Sequence, residues 1–156
     1  MKKLLLLFVG TTVLFAFSGC AKDEDPSPTP KKTNEEILVS TPWRLSAMTV
    51  SPAYDWNGDG NLITNIYGQF PACYTDDFDT YNANKTYLTD EGATKCDPSD
   101  PQTFGGIWSM NSNQTQLILD GDVMMIKSMS ETQMTWETTF VEDGTTYTAT
   151  ATYSKK

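Results

Sequence analysis

The chain has no histidine among its 156 residues. That absence removes the Ser-His-Asp and Cys-His devices of nucleophilic catalysis and leaves zinc with thiolates alone. Basic residues are scarce as well: 11 Lys and Arg stand against 20 Asp and Glu, a net charge of −9. A surface of that sign repels phosphate backbones and anionic headgroups, which excludes nucleic acid as a partner. Long apolar runs are missing too. Residues 4–17 fall short of the ~20 needed to cross a bilayer as a helix and match the core of a signal peptide. Cysteine is limited to three positions, Cys20, Cys73 and Cys96.

What is present begins with an address. Lys2 and Lys3 precede the apolar run, and Leu14-Phe15-Ala16-Phe17-Ser18-Gly19-Cys20 reads as a lipobox with Phe17 where Leu is usual. Residues 1–19 are then a lipoprotein signal peptide. The Cys20 thiol would carry diacylglycerol and its amine a further acyl chain of the palmitate kind; several chains anchor stably where one binds marginally. The plainer reading is an ordinary secretory signal with Cys20 incidental. Cleavage removes two basic residues and leaves nine against 20 acidic, a net charge of −11. Membrane attachment must then come from lipid. Ala21-Lys22-Asp23-Glu24-Asp25 resembles the export signal that sends Bacteroidetes-type lipoproteins to the outer face of the outer membrane; it also suits the start of a solvated linker. Residues 20–34 form that linker in either case. Pro26, Pro28 and Pro30 favour an extended path, and the 13 residues 22–34 at ~3.1 Å each span up to ~40 Å.

Residues 35–156 form one domain. Thr33-Asn34-Glu35-Glu36 has capping-box spacing ahead of Ile37, Leu38 and Val39, which predicts one short helix ending before Pro42. Beyond it the period is two. Trp43, Leu45, Ala47 and Thr49 fall on one face of a first strand. Met134, Trp136, Thr138 and Phe140 share a face later on, as do Tyr147, Ala149, Ala151 and Tyr153. Asp120-Gly121, Asp143-Gly144 and the segment Asn82-Ala83-Asn84-Lys85 are hairpin turns, so neighbouring strands are antiparallel. The expectation is an all-β, up-and-down antiparallel meander of seven or eight strands. It closes into a barrel or folds into a β-sandwich.

The order of a short helix, Trp43 on the first strand, a Cys-bounded insertion, a Tyr81-Asn82-x-Asn84-x-Thr86-Tyr87 hairpin, Gly106-Ile107-Trp108 and terminal hairpins resembles the lipocalin-like domain of Bacteroidetes-type lipoproteins over about residues 36–154. The chain departs from that pattern in having Thr41-Pro42-Trp43 for Gly-x-Trp and Lys85 for Gly, and in lacking an Arg on the last strand. The resemblance implies a small barrel of about eight strands and a small apolar ligand in its mouth. The inward Met and aromatic side chains fit equally a barrel filled by its own core.

With Cys20 acylated, Cys73 and Cys96 make an even pair in an oxidising compartment, where a disulfide is expected. Catalysis would fall to carboxylates. Asp77 and Asp79 share a face if the segment is a strand, with Asp76 turned away, which could mimic a glycosidase pair or simply be a solvated acidic edge; a non-enzymatic protein is the expectation. Asp55, Asn57 and Asp59, followed by Gly60 and Asn61, match the first half of an EF-hand-type calcium loop. Positions nine and twelve are Ile63 and Ile66, so calcium would need a distant carboxylate such as Asp76, Asp77 or Asp79. The same residues also suit a loop that satisfies its own backbone. Two functions compete: an outer-membrane, cell-surface lipoprotein binding a small apolar ligand, and a structural or protein-interaction module with a filled core and a calcium-stabilised loop.

Overall fold

A computed structural model describes residues 30–156. The expected signal segment 1–19, the expected acylation site Cys20 and the expected linker residues 21–29 lie outside the described residues. Lys31–Lys156 form one compact unit. The capping box is formed as its spacing predicts: the Thr33 N–H donates to Glu36 Oε2 at 2.8 Å and the Glu36 N–H donates to Thr33 Oγ1 at 3.2 Å. It starts helix α1 (Asn34–Leu38), a single turn that buries Ile37 and Leu38.

Nine strands follow, in order β1 (Trp43–Tyr54), β2 (Ile63–Asn65), β3 (Phe78–Tyr81), β4 (Thr86–Asp90), β5 (Thr103–Met110), β6 (Gln116–Leu119), β7 (Asp122–Met129), β8 (Gln133–Glu142) and β9 (Thr145–Lys155). From β3 to β9 each strand pairs antiparallel with the next. Strand β1 then closes the ring, meeting β9 along most of its length and β3 at Trp43↔Asp79. Eight strands thus form a closed up-and-down barrel, the architecture that lipocalins use, and the sandwich is ruled out. Strand β2 is a short addition on the far half of β1. Between β2 and β3 lie a 3-10 turn (Tyr67–Gln69) and a second short helix, α2 (Ala72–Thr75), neither of which the sequence period announces.

The turns behave as their residues require. Asp120 and Gly121 take φ of 51° and 106°, and Asp143 and Gly144 take 47° and 76°, the positive pair that a two-residue hairpin needs. Lys85 adopts φ 70° where a Gly would be unstrained. It is held there by an ion pair to Glu35 at 2.6 Å and by its ammonium resting 4.1 Å from the Trp108 ring centre. Such contacts, each worth up to about 1 kcal/mol, are comparable to the ~1–2 kcal/mol cost of a left-handed residue.

One part of the strand pattern is corrected. In β1 the inward set is not Trp43, Leu45, Ala47 and Thr49. The pairing with β9 slips between Leu45 and Ala47, so that Leu45 faces Tyr153 and Ala47 faces Thr152. Ser46 is the extra residue of a bulge, which shifts the phase of everything after it. Trp43 and Val50 are buried, whereas Ala47 and Thr49 are exposed. In β8 and β9 the expected alternation holds, with Met134, Ala149 and Ala151 buried.

The core is concentrated at the end closed by α1. Ile37, Leu38, Trp43, Tyr81, Trp108, Leu117 and Met134 pack there as one buried cluster. The Trp43 indole N–H donates to the Leu38 carbonyl at 2.9 Å, and the Trp108 indole N–H to the Asn82 carbonyl at 3.0 Å. Both large rings are therefore buried with their polar atoms satisfied. On the next strand pair Gly106 leaves room for the Asp120 carboxylate, into which a Cβ there would project. That carboxylate accepts from the Ile107 N–H at 2.9 Å and from the Tyr87 hydroxyl at 2.6 Å, which pushes the tyrosine pKa up to about 12.

Candidate functional site

Next to this core, with Tyr153 touching both, the barrel interior opens into a cavity. It measures about 460 Å³ and opens at the mouth, on the side formed by β1, β3, β4 and β9. Its inner wall is Leu45, Asp79, Thr89 and Tyr153, all carried by strands. Register explains their convergence: Asp79 lies opposite Thr89, and Leu45 opposite Tyr153. Gln69, Phe70, Pro71 and Tyr74 cover it from the segment around α2, and Trp56, Asp77 and Phe78 form its rim.

The cover is an aromatic cluster centred on Phe70, whose ring lies 5.7 Å from Trp56, 6.3 Å from Tyr67 and 6.3 Å from Tyr74. Its anchoring is covalent as well as polar. Cys73 on α2 is bonded to Cys96 in the β4–β5 loop, with Cα atoms 5.2 Å apart. Beside the disulfide, Asp76 Oδ2 accepts from the Ala93 and Thr94 N–H groups at 2.8 and 3.0 Å. A segment with little regular structure is thereby fastened over the mouth.

The three aspartates divide between two tasks, as expected from Asp77 and Asp79 sharing a face with Asp76 turned away. Asp77 and Asp79 both line the cavity, whereas Asp76 is turned to the loop amides. Asp79 Oδ1 accepts from the Thr89 hydroxyl at 2.6 Å, which lowers its pKa, but burial is the larger effect and raises it. Asp77 is pushed up to about 6 by burial first and then by the charges of Glu91, Asp76, Asp79 and Asp90. Tyr153, on the same wall, is raised by burial.

The stretch at residues 55–61 folds as a self-contained turn. Asp55 Oδ1 accepts from the Gly58 and Asp59 N–H groups, and its Oδ2 from Gly60. Asp59 Oδ1 accepts from the Asn61 N–H at 2.8 Å and its Oδ2 from the Asn57 side chain at 3.1 Å. These bonds hold the Asp59 carboxyl below the usual carboxylate range. The chain then enters β2 at Ile63, and Ile66 is buried in the core. Positions nine and twelve of a calcium loop are thus committed to the fold. Among the described residues no three His, Cys, Asp or Glu side chains converge as a metal cluster.

A second depression, of about 730 Å³, follows the seam between β7 and β8. The ladder ends there at Met125↔Glu137, while β8 and β9 continue together to Glu142↔Thr145. Glu137, Thr138, Thr139 and Thr148 give it a polar surface unlike the aromatic mouth. Sequence reasoning missed Phe70 and Tyr74 as site residues. No single period marks them, because Tyr67 stands in a 3-10 turn that ends at Phe70 and Tyr74 lies on the separate helix α2.

Compared with family models and with curated proteins, the chain matches none. Solved structures similar to it include an odorant-binding protein from bovine nasal mucosa, at 14% identity over 82% of this chain and 77% of that one, TM-score 0.41. Another is the bovine odorant-binding protein complexed with its natural ligand, at 15% identity over 82% and 77%, TM-score 0.42. A third is the same bovine protein with a selenium-containing odorant, at 14% over 83% and 76%, TM-score 0.42.

Proposed function

We propose that the chain is a non-enzymatic lipoprotein of the Bacteroidetes type whose barrel binds a small apolar ligand in its mouth. The observation that carries the ligand reading is the cavity of about 460 Å³, walled by Leu45 and Tyr153 and covered by Phe70 and Tyr74. A volume in the range of small-molecule sites, lined by aromatics with a few polar groups, is what such a ligand requires. In this reading residues 1–19 are removed, Cys20 is acylated, residues 20–34 are the tether and residues 35–156 the binding domain. The lipobox residues support acylation. The acidic run after Cys20 supports display on the outer face of the outer membrane, and a Cys73–Cys96 bond suits an oxidising compartment.

The filled end of the barrel favours a second reading, a protein-interaction module that uses the mouth loops and Trp56, which keeps 42% of its surface exposed. Calcium at Asp55, Asn57, Asp59 and Asn61 belongs to that reading. It would have to share oxygens that already accept backbone N–H bonds.

Native mass spectrometry of the chain, purified with and without chelator, tests both. The ligand reading expects a retained mass of a few hundred daltons that denaturation releases. A bare mass from several growth conditions contradicts it. A mass shift of one calcium that an Asp55→Ala, Asp59→Ala variant loses would establish the loop as a site, and its absence at millimolar calcium would remove calcium from the account.

A further inference from the structure

The mouth cavity carries more chemistry than an apolar ligand uses. Two carboxylates line it among aromatic rings, Asp79 in the wall beside Tyr153 and Asp77 at the rim beside Phe78. Asp79 receives one hydrogen bond, from Thr89, and Asp77 Oδ1, like Asp76 Oδ1 next to it in the chain, is buried without a donor. A buried carboxylate oxygen left unpaired costs free energy that a donor would recover.

The chain's own cations do not supply that donor. Arg44, on β1, gives its Nη2 to the Asp76 carbonyl at 3.2 Å, and its buried Nε has no acceptor, so it forms no bond to Asp77 or Asp79. The Lys156 ammonium sits 3.0 Å from the centre of the Phe78 ring. Among the described residues the ion pairs are those of Lys32, Lys85 and Lys127, none of which reaches Asp77 or Asp79. The remaining charged neighbours of Asp77, namely Asp76, Asp90 and Glu91, are acidic and deepen the negative field.

Each kind of ligand head meets this field differently. A carboxylate is repelled. A neutral head leaves Asp77 without a charged partner. An ammonium donates to both carboxylates and is attracted to aromatic faces, more strongly where water is excluded. We propose that the mouth cavity selects ligands in which a protonated amine is joined to an apolar body, the amine set on Asp77 and Asp79 and the body packed against Phe70, Tyr74 and Trp56. This rests on the reading of the cavity as a ligand site and adds the charge of the ligand.

Isothermal titration calorimetry of the full chain with 4-phenylbutylamine, 4-phenylbutanol and 4-phenylbutyrate tests the proposal, since the three share a body and differ in head charge. The amine should bind about tenfold or more tightly than the alcohol, and the carboxylate weakest of all. The advantage of the amine should shrink between about pH 7.5 and about pH 5, where Asp77 takes up its proton and the amine keeps its own. An Asp77→Asn, Asp79→Asn variant should bind amine and alcohol within about twofold of each other. If that variant does not fold, the pH series on the unaltered chain decides. Equal affinity for the three probes, or preference for the carboxylate, overturns amine selection and leaves the small-ligand reading standing. Binding of none of the three overturns both.

Discussion

In the wall of the mouth cavity Asp77 carries its charge at a cost. Its pKa in the fold, pushed up to about 6, stands above the ordinary 3.8. The folded chain therefore holds an extra proton between these values. The burden of the charged form is fully present above about pH 6 and gone below about pH 4. Because the side chain is partly solvated, the burden is about 1 kcal/mol rather than the full equivalent of the shift. Asp77→Asn in the ligand-free chain should accordingly raise Tm by ~4 °C near neutral pH, with no gain near pH 4, as read by thermal circular dichroism. An unchanged or lowered Tm at neutral pH contradicts this. That Asp77 and Asp79 face one space was legible from a two-residue spacing. That Asp76 turns to the Ala93 and Thr94 amides was not, since those partners lie 17 and 18 residues further along the chain.

At the scale of elements, local chemistry was readable and the phase of β1 was not. The capping box of α1 and the Asp-Gly turns follow from backbone preferences of a few adjacent residues, and each is found where its residues predict. The bulge at Ser46 inverts the inward face of β1, and nothing at Ser46 itself signals it. It is stabilised from another strand, by the Ser46 hydroxyl donating to the Thr152 carbonyl at 3.0 Å and accepting from the Ser154 hydroxyl at 2.9 Å. The cover over the mouth was likewise hidden, because α2 is only four residues long and depends on the Cys73–Cys96 bond for its place. The two cysteines are separated by 23 positions. Closing a loop of that length stabilises the fold by ~3.5 kcal/mol in the chain-entropy account. A Cys73→Ala, Cys96→Ala variant should lose about that much in urea unfolding and bind the ligand more weakly, since Tyr74 is no longer held over the cavity. Loss of stability without loss of affinity would show that the cover is not part of the site.

Residues 31–156 are a barrel filled where α1 plugs it, with a cavity beside that core under the cover. The sequence posed filled and hollow as alternatives, because the same inward Met and aromatic residues serve both. Which part is packed depends on the plug, with Ile37 and Leu38 entering at one end only. The proposed anchor acts at this scale too, since a net charge of −9 over the whole chain gives no electrostatic hold on an anionic membrane. Replacing Cys20→Ala should therefore abolish incorporation of labelled palmitate and move the protein from the membrane to the soluble fraction. Persistent labelling would refute acylation at that residue.

The central claim is that the mouth cavity takes a small ligand with an apolar body. Amide chemical-shift mapping by NMR during titration with 4-phenylbutylamine tests it most directly. The account predicts saturable shifts concentrated at Leu45, Phe70, Tyr74, Asp79, Thr89 and Tyr153, with Trp108 and Leu117 in the packed core unmoved. Shifts confined to the β7–β8 seam around Glu137 and Thr148, or no saturable shift at any of the cavity residues, would contradict it.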